Sequence, residues 1–69
     1  MNEKYIEISK QLREERKSYE KYREAAVSLS TGVIDSQLRA AMTEHIKALD
    51  AAIASVDQAL EITSSGYTT

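Results

Sequence analysis

The chain has 69 residues, no Cys, no Pro, two Gly and a formal net charge of −2. That length holds one domain at most. The missing Cys excludes disulfides and Cys-based zinc sites, and the acidic balance argues against the basic face that general nucleic-acid binding requires. No apolar run approaches the ~20 residues of a membrane span, and the first residues carry no signal-peptide core. The expectation is a cytoplasmic protein with no membrane partner and no nucleic-acid partner.

Charge is unevenly spread. Residues 1–29 hold seven Lys/Arg and six Glu, whereas residues 30–69 hold two Lys/Arg and five Asp/Glu. The first half is also strongly periodic. Tyr5, Ile8, Leu12, Glu15, Tyr19, Tyr22, Ala26 and Leu29 recur at alternating spacings of three and four. That is an a/d seam, and it predicts a helix over about 3–30. Asn2 suits its N-cap, and Glu3 sits where the helix dipole favours an anion.

The break follows in SLSTGVIDSQL. A turn is expected over about 31–34, with Gly32 in a left-handed position closing the first helix and Asp35 capping the second. Ser30 or Thr31 offers an earlier start. A second seam, Leu38, Met42, Ile46, Leu49, Ile53, Val56 and Leu60, predicts helix over about 35–63. SSGYTT, residues 64–69, reads as a polar tail with Gly66 as a stop and no fixed structure.

Two helices of roughly 40 Å, at ~1.5 Å per residue, joined by a short turn make an antiparallel hairpin. Folding back about Gly32 places Tyr5 near Leu60, Ile8 near Val56, Leu12 near Ile53 and Tyr19 near Ile46. Tyr22 falls near Met42 or His45, and Glu15 opposite Leu49 and Asp50. Helix 2 also carries small residues, Ala41, Ala48, Ala52, Ser55 and Ala59, with Ala51 beside them. One hairpin cannot cover both stripes, so the expected fold is all-α: an antiparallel two-helix hairpin assembling into a homo-oligomeric helical bundle. The competing reading makes the alanines solvent-facing helix formers.

Signals for catalysis are sparse. His45 is the only histidine, and Glu44 and Lys47 around it do not form a metal-ligand spacing. It reads as a hydrogen-bonded packing residue bordering the seam. No Ser has a Cys or His partner, and no Gly-rich phosphate loop follows a strand. Glu14 and Glu15 read as a solvated face rather than a carboxylate pair. The expectation is no enzyme, no cofactor and no metal.

The stretch ERKSYEKYREAA, residues 15–26, is the richest candidate. Arg16, Tyr19 and Arg23, at i, i+3 and i+7, share one face, with Tyr22 beside them. Guanidinium forks suit phosphate, and phenol rings offer stacking surfaces for bases. The bland alternative packs both tyrosines in the seam and pairs both arginines with acids on a neighbouring helix. SLSTG adds hydroxyls and amides near the start of helix 2, although Asp35 opposes an anion there. If the tail is ordered, Tyr67 and Thr68 bring hydroxyls that close over a neighbouring subunit.

Across residues 2–63, this short, Cys-free, acidic helical hairpin with Arg16, Tyr19, Tyr22 and Arg23 resembles small phage counter-defence proteins, the anti-CBASS and anti-Thoeris sponges. The resemblance is one of architecture and implies sequestration of a cyclic nucleotide signal between subunits. On that expectation the ligand-binding residues are Arg16, Tyr19, Tyr22, Arg23, Tyr67 and Thr68. The alternative is a protein-protein interaction or inhibitor module that uses an amphipathic helix face.

Overall fold

The computed structural model describes the backbone of residues 3–67 and the side chains of residues 3–64. Two helices account for almost all of it: α1, Glu3–Ser30, and α2, Ser36–Tyr67. They pack antiparallel into a rod of 52 × 14 × 12 Å. None of the described helices is long and apolar enough to cross a membrane. The Asn2 cap lies outside the described residues. α2 runs on through Tyr67, where a structureless tail was expected from residue 64. Gly66 costs only ~1 kcal/mol in a helix interior relative to Ala, so it need not end one.

The turn is built locally. The Ser30 hydroxyl donates to the Val27 carbonyl at 2.8 Å, and the Thr31 hydroxyl to the Ser28 carbonyl at 2.7 Å. The amides of Gly32 and Val33 donate to the carbonyls of Leu29 and Ser30. These bonds satisfy the last carbonyls of α1, which otherwise lack partners. Gly32 is not left-handed as expected, since no described residue has positive φ. Asp35 is the N-cap of α2. Its Oδ1 accepts the Leu38 amide at 2.9 Å, and its carbonyl accepts the first helical bond from Arg39. Arg39 also reaches back, donating from Nη2 to the Val33 carbonyl at 2.7 Å.

The core is thin. Ala26, Leu49 and Val56 are buried hydrophobics, joined by buried Ser9 and Thr63. Each of those two has a partner: Ser9 Oγ accepts from Arg13 Nη1, and the Thr63 hydroxyl donates to the Leu60 carbonyl. Leu12, Tyr19, Met42, Ile46, Ile53 and Leu60 are half-buried. The α2 seam is therefore the expected one from Met42 onward, while Leu38 at its head is 52% exposed.

On α1 only half of the expected seam is right. Leu12, Tyr19 and Ala26 face α2, but the interleaved positions are Ser9, Arg16, Arg23 and Ser30, not Ile8, Glu15, Tyr22 and Leu29. Tyr22 is 59% exposed and Leu29 68%. The cause is electrostatic. Arg16 and Arg23 lay their stems along the seam and reach Asp57 and Asp50 on α2. Glu15 has no cation on α2 to meet.

These ion pairs also set the register. With Arg16 at Asp57 and Arg23 at Asp50, Tyr19 lies level with Ile53 and Ala54, not Ile46. The shift is about eight residues, ~12 Å at ~1.5 Å per residue. It arises because residues 31–35 continue past the end of α1 before the chain folds back. The first turns of α2 then overhang, which leaves Ile34 91% exposed.

Candidate functional site

The Arg/Tyr cluster divides between two flanks of the hairpin. On one flank, Arg16 Nε donates to Asp57 Oδ1 at 2.6 Å and Nη2 to Oδ2 at 3.4 Å, while Nη1 donates to Glu20. One heptad along, Arg23 Nε donates to Asp50 Oδ1 at 2.5 Å. This is the fork geometry that guanidinium offers any carboxylate or phosphate, and here it is occupied from within the chain. The Arg16 guanidinium is held above its usual pKa, first by the Asp57 hydrogen bond and then by the charges of Asp57 and Glu20.

Tyr19 lies between these two pairs, half-buried on the seam. The nearby Glu15 carboxylate holds the Tyr19 phenol above its ordinary pKa, first as a hydrogen-bond acceptor for the protonated form and then through its charge. Tyr22 is turned to the other flank, away from both arginines. The expected four-residue face therefore splits, because the seam takes positions 16 and 23 rather than 15 and 22. The Tyr67 side chain and Thr68, expected to close a site, lie outside the described residues.

The flank bearing Tyr22 holds an apolar groove of about 290 Å³ between the helices. Tyr22, Ala25 and Leu29 of α1 face Met42, His45 and Leu49 of α2 across it. Tyr22 shares this groove with Met42 and His45, but in the register set by the ion pairs it stands level with Ala51, so the expected placement of Tyr22 beside Met42 or His45 moves with the rest of the register. His45 stands exposed at the rim, with no hydrogen-bond partner among the described residues. A second depression, about 330 Å³, lies along α1 and is lined by Lys17, Glu20, Lys21, Arg23 and Glu24. Among the described residues no three His, Cys, Asp or Glu side chains gather as metal ligands would.

Sequence reasoning missed the two aspartates that neutralise the arginines, although a signal was present. Arg16 and Arg23 are seven apart, and so are Asp50 and Asp57. Two such pairs meet in an antiparallel hairpin in only one register. Comparison with protein-family profiles, curated proteins and solved structures finds no match.

Proposed function

We propose that this chain acts by binding rather than catalysis, as a self-associating helical-hairpin interaction module. The observation that carries the reading is the exposed apolar flank. Tyr22 and Leu29 stand largely in water beside an open groove, while the opposite flank is closed by ion pairs. An exposed apolar groove of this kind, between Tyr22–Leu29 of α1 and Met42–Leu49 of α2, is where other helices dock. Burying it recovers roughly 25 cal/mol per Å². Sedimentation equilibrium on the wild type and on Tyr22→Lys tests the reading. The wild type associates at micromolar concentration, and the variant loses association while keeping its helical circular dichroism. A wild type that sediments as a monomer with no protein partner overturns it.

A second reading, capture of an anionic nucleotide-type molecule by the assembled protein, draws on the α1 depression. Lys17 and Lys21 line it without an ion pair among the described residues, next to Arg23. Glu20 and Glu24 in the same wall oppose it. Arg16 and Arg23 would have to leave Asp57 and Asp50 to hold a phosphate. A thermal-shift screen with cyclic di- and trinucleotides tests this reading: a shift abolished by Lys17→Ala plus Lys21→Ala supports it, and no shift rejects it.

A further inference from the structure

The described hairpin has two unlike flanks. Helical periodicity of 100° per residue puts Tyr22, Ala25 and Leu29 of α1 on the same side as Ala48, Ala52 and Ala59 of α2, and the groove confirms that this side is shared. Along its second half α1 contributes the large Tyr22 and Leu29 to the flank, and α2 mostly small residues. Nearer its start α1 brings polar side chains to the same side, Glu7, Gln11 and Glu15, and Gln11 donates to Glu7 at 3.2 Å, so the apolar part of the flank is the half that holds Tyr22, Ala25 and Leu29. The other flank carries the Arg16–Asp57 and Arg23–Asp50 pairs.

The chain as a whole exposes more surface than a compact one would. A compact monomer of this mass exposes roughly 4,300 Å², whereas the chain exposes 5320 Å². The difference, on the order of 1,000 Å², matches the ~800 Å² that each partner gives to a standard interface. A surface that is large on one helix and small on the other is complementary to itself. A half-turn about an axis parallel to the helices lays α1 of each copy on α2 of the other. Large side chains then meet small ones, the arrangement that fills a core without voids.

We infer that the Tyr22 flank is covered by a second copy of this chain in a two-fold, four-helix bundle, with α1 of one copy packed on α2 of the other. The inference rests on the self-association proposed above and adds its surface and register. An axis parallel to the helices leaves each residue at its own level, so the register between copies is inherited from the register within one copy. Tyr22 then seats against the partner subunit's Ala48 and Ala52, and Ser18 faces the partner subunit's Ser55. Every neighbouring helix pair in the bundle is antiparallel.

The chain has no cysteine, so engineered cross-links report cleanly. Ser18 and Ser55 are exposed, and replacing them leaves the seam intact. Within one copy the two residues point out of the same flank from different helices. Across the inferred interface they approach within the ~7 Å Cα separation that a disulfide needs. The test is mild oxidation of Ser18→Cys, Ser55→Cys and the double variant, read on non-reducing gels beside light scattering of the wild type. The expected result is a dimeric wild type and a covalent dimer from the double variant, with neither single variant cross-linking. A dimeric wild type whose double variant does not link, or whose Ser18→Cys links alone, overturns this interface but leaves self-association standing. A monomeric wild type overturns both.

Discussion

Arg16 on the first helix grips Asp57 on the second with two of its guanidinium nitrogens, at 2.6 and 3.4 Å. One heptad away Arg23 meets Asp50 through a single bond, from Nε to Oδ1. Two rungs seven residues apart select one register, since sliding either helix by a turn breaks both. They also decide which flank of the hairpin is charged and which is left apolar.

The rungs should therefore behave as a charge-dependent register device. Arg23→Asp places two acids together and lowers the melting temperature, and adding Asp50→Arg restores most of the loss. Because the pair is partly exposed, its coupling in a double-mutant cycle should be about 0.2–1 kcal/mol and should shrink in high salt. Urea titrations of the four variants measure it. Equal loss in the single and swapped variants would rule out the pairing.

Gly32 has an unusual prediction attached. Its φ is not positive, and a Cβ added there meets nothing within 4 Å. Gly32→Ala should therefore stabilise the fold by roughly 0.4–1 kcal/mol, by restricting the unfolded chain. A left-handed Gly32, as the sequence leads one to expect, would make the same change destabilising. Thermal unfolding followed by circular dichroism gives the sign.

Asp35 accepts the Leu38 amide at the start of α2. Asp35→Ala should cost about 1 kcal/mol, within the usual 0.5–2 for a lost cap, while Asp35→Asn or Asp35→Ser should recover much of it. A loss that neither conservative replacement recovers would show that Asp35 acts through something other than the cap.

Alkaline pH offers a fourth test. The Tyr19 phenol is held above its ordinary pKa of 10.0 by the neighbouring Glu15 carboxylate, so the folded state keeps this proton longer than the unfolded one. The associated stability is complete below pH 10 and is lost as pH rises through the raised folded value. Tyr19→Phe should flatten that part of the stability profile and leave neutral pH behaviour similar. Spectroscopic titration of tyrosinate beside urea unfolding at pH 8–11.5 checks it. An identical alkaline loss in the variant would contradict the assignment.

Much of this fold is legible in the residues, for physical reasons. A chain without Pro and with a three-four apolar rhythm has little choice but long helices. The α2 seam was readable because its a/d positions carry Met, Ile, Leu and Val without interruption. Half of the α1 seam is not legible, because hydrophobicity alone selects Ile8 and Tyr22 over Ser9 and Arg23. The buried choice depends on Asp57 and Asp50, more than 25 residues away in the chain. The same pairs split the Arg/Tyr cluster. The register is not legible from periodicity, in which the linker's path along the rod axis leaves no mark.

The most direct test of the account is the mass of the native protein in solution, by light scattering or native mass spectrometry. The account predicts a species of twice the 7.7 kDa chain at micromolar concentration, converted to a folded single chain by Tyr22→Lys. A wild-type protein that stays at 7.7 kDa across that range would mean the apolar flank is not covered by a second copy.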